Sequence, residues 1–142
     1  MTIDAEVRAF IESQRVARLA TVDERARPHV VPICFALLGD TLWTPIDEKP
    51  KSGDYTRLRR LRNIAANPAV QVLFDAYDDD DWSRLRYVQV RGHARVVAPG
   101  DAVHASAVAA LRARYAQYAA MSLKTRPVIA VAIERVIGWR SG

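Results

Sequence analysis

The chain has 142 residues, a formal net charge of +5 and a sequence pI of about 9.8. Half of its residues are hydrophobic, which excludes a disordered chain, and the length suits one domain over residues 1–142 with its own core. The single cysteine, Cys34, excludes an internal disulfide and a thiolate metal cluster. The basic balance favours an anionic partner, but it does not choose between a phosphorylated cofactor, an acidic substrate and nucleic acid.

Targeting signals are the next feature that the sequence bears on. No apolar run approaches the length of about 18 residues that a membrane-spanning helix needs. The opening residues, MTIDAEVRAF, carry acids where a signal peptide carries cations. We therefore expect no membrane partner and a cytoplasmic location.

Helical and strand patterns alternate along the chain. In order, they predict a helix over 3–14, strands over 16–22, 29–38 and 41–45, a basic helix ending at Asn67, strands over 70–74 and 87–97, a helix from Asp101, and a strand over 128–139. Strict alternation in the strand over 87–97 predicts that Ala94 and Val96 face the same side. Six mostly antiparallel strands with short helices predict a mainly β, α+β fold in the form of a small closed or split barrel.

Pro32 interrupts the predicted strand 29–38. Because proline has no N–H to donate to a strand ladder, it marks an edge, a bulge or a stretch that faces something other than a strand. The backbone at Val31 and Pro32 is therefore a candidate ligand-facing edge, and a plain edge proline is the alternative.

The most distinctive stretch is 47–68, DEKPKSGDYTRLRRLRNIAANP, which has two lysines and four arginines against three acids. A loop containing Pro, Gly and Ser leads into the basic helix, and a helix N-terminus attracts anions. Arginine adds planar donors that match phosphate oxygens. The pattern predicts an anion-binding loop and helix start, most consistent with a phosphate-bearing cofactor. A solvated basic helix face is the alternative.

Motifs that carry catalysis by themselves are missing from the sequence. It has no GxSxG, HExxH, GxGxxG or Walker loop, and its histidines, His29, His93 and His104, lack metal-ligand spacing. The four consecutive aspartates at 78–81 are typical of a solvated loop rather than a metal site. If the protein is an enzyme, a cofactor therefore carries the chemistry and the protein supplies position and electrostatics.

Five segments together resemble the pyridoxamine 5′-phosphate oxidase-like split-barrel superfamily, in particular its branch of deazaflavin (coenzyme F420)-dependent reductases. They are RLATVDERARPHVVPICF, LRRLRNIAANPAVQVLFD, DDWSRLRYVQVRGHARVV, LRARYAQY and VIGW, and they cover nearly the whole chain in order. The resemblance implies a homodimer of six-stranded antiparallel split barrels of the FMN-binding type. It also implies two sites between the subunits for coenzyme F420 or, alternatively, FMN.

The resemblance further implies which residues bind the cofactor. In the family, a basic pair before the Asn-Pro turn holds the cofactor phosphate, the first two strands line the ring, and a terminal aromatic residue reaches the partner's site. Lys49 and Lys51 lie in an inserted stretch, IDEKPKSGDY, and would grip the phosphate or the acidic tail of coenzyme F420. The implied set is Arg18, Thr21, Val31, Pro32, Thr44, Pro45, Lys49, Lys51, Arg59, Arg60 and Trp139.

Three functions are compatible with these observations. The first is an F420H2-dependent reductase of small unsaturated molecules, or an FMN-dependent oxidase or reductase, with His29, Tyr87 and Trp82 as candidate substrate contacts. The second is a protein that binds flavin or haem without turnover. The third, a nucleic-acid-binding barrel, requires aromatic residues interleaved with cations on a sheet face, whereas here the cations concentrate on a loop and a helix.

Overall fold

The computed structural model describes residues 2–47 and 53–141. In these residues it has one antiparallel sheet of seven strands and three α-helices. The elements are α1 (Ala5–Ser13), β1 (Ala17–Val22), β2 (Pro28–Ile33), β3 (Ala36–Leu38), β4 (Thr41–Pro45), α2 (Arg59–Ala66), β5 (Ala69–Ala76), β6 (Arg86–Val97), α3 (Ala102–Arg114) and β7 (Val128–Arg140). No helix among the described residues is long and apolar enough to cross a membrane.

The prediction of six strands is wrong, because the predicted strand 29–38 is two strands. β2 pairs with β1, whereas β3 pairs with β4, and Cys34 and Phe35 separate them. The Phe35 N–H donates to the hydroxyl of Tyr115 at 3.0 Å instead of to a strand. This side-chain contact replaces a ladder bond at the point where the chain leaves one neighbouring strand for another.

This split strand also closes the sheet. The strand order is β2-β1-β5-β6-β7-β4-β3, so β2 and β3 lie at opposite edges. Only two residues join them, and three Cα steps span at most about 11 Å. The sheet must therefore curl until its edges meet, which gives the barrel shape that the sequence predicts.

The curled sheet has a hydrophobic core on each face. Neighbouring residues of one strand, such as Leu42 and Trp43 in β4, belong to different clusters of buried side chains. Since successive strand residues point to opposite faces, one cluster fills the barrel interior and the other lies on the outer face. α3 covers the outer cluster with Ala107, Val108 and Leu111.

The helices close the two ends of the barrel. Because all pairings are antiparallel, β1, β4 and β6 end where β2, β5 and β7 begin. α2 connects β4 to β5 at this end, which we call the α2 end, and places Leu61 and Ile64 in the interior core. α1 covers the opposite end, where the Phe10 ring lies 4.4 Å from the Arg86 guanidinium.

Candidate cofactor-binding site

A buried hydrogen bond joins α2 to the end of β1 in the barrel wall. Thr21 is inward-facing near the end of β1 and is only 3% exposed. Asn63 of α2 is buried as well, and its Nδ2 donates to Thr21 Oγ1 at 3.0 Å. This bond fixes the position of α2, and therefore of the arginines that α2 carries, relative to β1.

Arg60 is the buried cation of α2. Its exposed fraction is 9%, whereas Arg59 and Arg62 on the same helix are exposed. The N-cap residue, Leu58, makes no side-chain hydrogen bond to the first turn of α2, so it does not offset the positive end of the helix. The α2 end therefore combines a buried guanidinium, two exposed guanidinium groups and a helix N-terminus.

His29 joins this group, although sequence reasoning gave it no place among the cofactor-binding residues. It lies directly opposite Thr21 in the β1–β2 ladder. Its Nδ1 is buried and has no hydrogen-bond partner in the described part of the chain. Burial lowers the pKa of His29, and the charges of Arg59 and Arg60 lower it further, so the imidazole is neutral near pH 7.

The turn between β1 and β2 brings acids close to these arginines. Asp23 accepts hydrogen bonds from the backbone N–H groups of Arg25 and Arg27 and from Arg27 Nε at 2.8 Å. The Arg27 backbone contact is the main reason why the pKa of Asp23 is lowered to about 2. Asp23 is thus a permanent anion at neutral pH, and its charge is matched by Arg27.

Two cavities border the Thr21–Asn63 hydrogen bond. The first has a volume of about 350 Å³ and the second, on the outer face of the sheet, a volume of about 650 Å³. Asp23, Glu24, Arg27, Arg59, Arg62, Asn63 and Ala66 line the first, which we call the polar cavity. Ala20, Thr21, Val22, Pro28, Ala69, Val70, Gln71, Arg91, Gly92, His93 and Glu134 line the second, which we call the sheet cavity. Both volumes fall within the range of about 300–1,000 Å³ that small-molecule sites occupy.

The residues predicted to line the ring lie on β1 and β2 but point in two directions. Arg18 and Pro32 are register partners with exposed side chains, and Arg18 Nη1 lies 3.6 Å from Asp75 Oδ1. Thr21 and Val31 point toward the interior, where Val31 packs against the core. A ligand on the outer face would thus meet Arg18 and Pro32, and one at the α2 end would meet Thr21.

The remaining predicted residues lie on strands other than β1 and β2 or outside the described residues. Thr44 and Pro45 are buried in β4, and Thr44 Oγ1 has no hydrogen-bond partner among the described residues. Trp139 stacks on Tyr87 with ring centroids 5.7 Å apart, at the end of the barrel that α1 covers. Lys49 and Lys51 lie outside the described residues, so their roles stay predictions.

The distance to Trp139 can be read from the strand register. Tyr87 pairs with Trp139, and Gly92 of the sheet cavity lies five residues farther along β6, or about 16 Å away. A Trp139 side chain cannot reach across that length to the sheet cavity of its own chain. Within residues 2–47 and 53–141, no cluster of His, Cys, Asp and Glu side chains could hold a metal ion.

The family model described as pyridoxamine 5′-phosphate oxidase matches residues 3–140. The chain belongs to the pyridoxamine 5′-phosphate oxidase-like family. The resemblance inferred from the sequence is therefore confirmed at the level of the superfamily, whose members typically bind a flavin. Activity and cofactor vary within such a family, so they have to be argued from the site.

A curated relative and two solved structures add to this assignment. The chain is 30% identical over 91 residues to a 5a,11a-dehydrotetracycline/5a,11a-dehydrooxytetracycline reductase of Streptomyces rimosus; the match spans 64% of this chain and 61% of that reductase. A conserved hypothetical protein from Mycobacterium tuberculosis has a TM-score of 0.75 at 22% identity, covering 99% of this chain and 86% of that one. HutZ, the haem storage protein of Vibrio cholerae, has a TM-score of 0.75 at 18% identity, covering 100% and 96%. At these identities the two structures establish the fold alone.

Proposed function

We propose that the protein is a reductase that passes a hydride from a phosphate-bearing flavin-type cofactor, reduced coenzyme F420 in the first place, to a small unsaturated organic acceptor. The observation that carries this proposal is the buried guanidinium of Arg60 at the α2 end, next to neutral His29 and the Thr21–Asn63 bond. Membership of a typically flavin-binding family and the distant reductase relative support the same function.

The residues of the α2 end fit a phosphate group. Arg59 and Arg62 are exposed beside Arg60, so α2 concentrates positive charge at one place, which favours an anion. The uncapped N-terminus of α2 adds donors and positive potential at the same place. Arg59 and Arg60 would hold the phosphate, while Asn63 and Thr21 keep α2 from shifting relative to β1.

The sheet cavity is large enough for the cofactor ring and an acceptor stacked on it. When bound, a deazaflavin supplies hydride, whereas FMN also exchanges single electrons and reacts with oxygen. The chain contributes binding, orientation and exclusion of water, and the outer faces of β1 and β2 give the ring a flat wall. Hydride delivery places no demand for a nucleophile on the protein, in keeping with the motifs that the sequence lacks.

A homodimer would complete the site. Val30 and Trp139 are 59% and 48% exposed, and both are large apolar side chains on the outer face of the sheet. A two-fold axis perpendicular to the strands would run the strands of the two copies in opposite directions, which brings the Trp139 end of one copy toward the α2 end of the other. Trp139 would then line the partner's sheet cavity, which it cannot reach in its own chain.

The preference for coenzyme F420 over FMN rests on the three arginines of α2. A single phosphate engages Arg59 and Arg60, which leaves Arg62 to meet the acidic tail that coenzyme F420 carries and FMN lacks. FMN is the second candidate, because the family typically binds flavin.

Haem binding without turnover is a third candidate, favoured by the fold that this chain shares with a haem storage protein. A haem iron needs a protein ligand, and the buried Nδ1 of His29, which has no partner among the described residues, is one candidate nitrogen. Binding of haemin with a Soret shift that His29→Ala abolishes would favour this candidate over the reductase.

A binding titration followed by a turnover assay tests the proposal. We expect coenzyme F420 or FMN to bind the wild-type protein in the micromolar range, and Arg60→Ala to weaken that binding strongly. Lys124→Ala is the matched control, because it removes one exposed cation that lines neither the polar cavity nor the sheet cavity. The proposal is overturned if neither cofactor binds, or if bound reduced cofactor reduces none of a panel of conjugated acceptors.

A further inference from the structure

We propose that His29 is a proton-coupled ligand of the bound phosphate: it takes up a proton from solvent when a phosphate-bearing cofactor binds at the α2 end. The inference rests on the proposed function and adds to it a residue and a linkage. It stands on three structural observations that concern His29 itself, its neighbours and its unoccupied hydrogen-bonding capacity.

The first observation is the position of the ring. His29 alternates with the exposed residues of β2 and points toward the interior, directly opposite Thr21. Thr21 in turn holds Asn63 of α2. The imidazole is therefore placed beside the same helix that carries Arg59 and Arg60.

The second observation is the unused nitrogen. The Nδ1 atom of His29 is buried and has no partner among the described residues. A buried polar atom without a partner costs free energy, and such atoms in folded proteins usually mark a place for water, an ion or a ligand. A protonated imidazole donates from both nitrogens, so Nδ1 becomes a donor to an anionic oxygen.

The third observation is the charge around the ring. Arg59 and Arg60 face it from α2, and the β1–β2 turn carries Asp23, Glu24 and Arg27. Asp23 and Arg27 form an ion pair with each other at 2.8 Å, so they offset each other. Burial is the largest cause of the lowered pKa of His29, and the charges of Arg59 and Arg60 lower it further.

A bound phosphate would make the electrostatic potential at His29 more negative. The anion neutralises the charge of Arg59 and Arg60 and places negative oxygens near Nδ1, and both effects favour the imidazolium form. The pKa of His29 then rises on binding. By linkage, the cofactor binds more tightly as pH falls through the range between the free and bound pKa values, by up to tenfold for each unit by which the pKa rises.

Calorimetry measures the linked proton directly. Coenzyme F420 and FMN are titrated into the wild-type protein and into His29→Asn at pH 6.5, in two buffers of different ionisation enthalpy. The wild-type protein is expected to take up a substantial fraction of one proton more than the variant for each cofactor bound. The variant gives the proton exchange of the cofactor's own phosphate in the absence of His29. Asparagine retains hydrogen-bonding groups without titrating, so the variant keeps the site polar.

Nuclear magnetic resonance gives a second readout that does not depend on affinity. The imidazole signals are titrated with pH in the free and cofactor-saturated protein, and His29→Asn assigns the signal of His29. We expect the pKa of His29 to rise on binding. The signal of buried His104, whose Nε2 lies 2.7 Å from the Arg126 carbonyl oxygen, is the reference. Equal proton uptake by wild type and variant, or a His29 pKa unaffected by bound cofactor, would overturn the inference. Absence of cofactor binding would instead overturn the proposed function.

Discussion

The hydrogen bond between Asn63 and Thr21 is the side-chain contact that holds α2 against β1. Thr21→Val removes the acceptor and leaves the Asn63 amide buried without a partner. We expect the free energy of unfolding to fall by about 1–3 kcal/mol, measured by urea denaturation without cofactor.

Thr44→Val is the matched control for this change. Thr44 is as deeply buried as Thr21, but its hydroxyl makes no hydrogen bond to a described residue, so the same substitution should be neutral or stabilising. Equal losses in both variants would mean that the Asn63–Thr21 bond has no special role. If Thr44 contacts the cofactor as the family resemblance implies, Thr44→Val will lower cofactor affinity while stability is unchanged.

His29 predicts how the stability of the free protein depends on pH. Its pKa in the folded state is lowered below the ordinary value of 6.5, so between these two values the unfolded chain binds more protons than the folded one. The free energy of unfolding should therefore fall as pH drops below about 6.5. Asp23 does not affect the slope in this pH range. Because its pKa in the folded protein is about 2, the stability that it contributes is lost only below about pH 4.

Urea denaturation between pH 7.5 and 5.5 checks this expectation. The slope of unfolding free energy against pH should be positive in the wild-type protein and smaller in His29→Asn. Identical slopes in the two proteins would contradict the burial and charge environment described for His29.

The sequence pattern predicts the arginines of the candidate site but not His29 and Asn63. Arg59 and Arg60 stand out because four arginines lie in one short segment. His29 and Asn63 belong to the site only through the register of β1 against β2 and the rotation of α2, which bury one face of each element. Composition carries no information on that register, so neither residue was singled out for the cofactor. The burial of Arg60 is equally a result of helix rotation.

Gly92 allows the paired strands β6 and β7 to approach each other closely. The register between these strands shifts between Arg91 and Gly92, and a Cβ at position 92 would overlap the Ala132 carbonyl oxygen and lie 2.9 Å from Val131 Cγ1. The backbone of Ala132 cannot move away from the new methyl group as easily as the end of a flexible side chain could. Gly92→Ala should therefore lower the free energy of unfolding by about 1–3 kcal/mol.

Gly138 provides the control within the same pair of strands. A Cβ there would meet nothing closer than Val88 Cγ2 at 4.0 Å, so Gly138→Ala should change stability by no more than about 0.5 kcal/mol. Thermal and urea unfolding of the two variants measure the difference. Similar stabilities for both would contradict the close approach of β6 to β7 at Gly92.

Element patterns locate most strands but not the places where their environment changes. Alternation in β6 predicts that Val96 is buried with Ala94, yet Val96 is 41% exposed and Val97 is 1% exposed. The side chains still alternate, but here α3 covers the outer face, so the core passes from one face to the other. The division of 29–38 into β2 and β3 has a similar origin, since the partner strand changes within an unbroken apolar run.

The shape of the whole molecule leads to the prediction of a dimer. The chain has a mass of 15.9 kDa and exposes Val30 and Trp139 on one sheet face. We therefore expect sedimentation to give about twice the mass of one chain. Trp139→Glu should shift the protein toward the monomer and weaken cofactor binding, because a carboxylate at a buried interface is costly. Analytical ultracentrifugation over a range of concentrations gives the dissociation constant.

Trp82→Glu is the comparison for this experiment. Trp82 is 64% exposed but lies in a short 3₁₀ turn between β5 and β6 rather than on the sheet face. We expect this variant to dimerise like the wild-type protein. A monomeric wild-type protein with full cofactor affinity would remove the need for a second copy at the site.

Barrel class and family follow from the order of short patterns along the chain, because each pattern carries part of the topology. Closure does not follow from them, since it depends on β2 and β3 meeting across Cys34 and Phe35. The assignment of Trp139 to a partner's site comes from family resemblance and stays a prediction; within one chain, Trp139 lies at the end of β7 opposite the α2 end.

Comparison of cofactors with and without phosphate tests the central claim most directly. Affinities of FMN and riboflavin, and of coenzyme F420 and its phosphate-free deazaflavin core, are measured by fluorescence for the wild-type protein, Arg60→Ala and Lys124→Ala. If Arg60 binds the phosphate, Arg60→Ala should weaken the phosphate-bearing cofactor roughly 10- to 100-fold and leave the phosphate-free form almost unchanged. Equal losses for both forms, or no loss for either, would contradict a phosphate site at the α2 end.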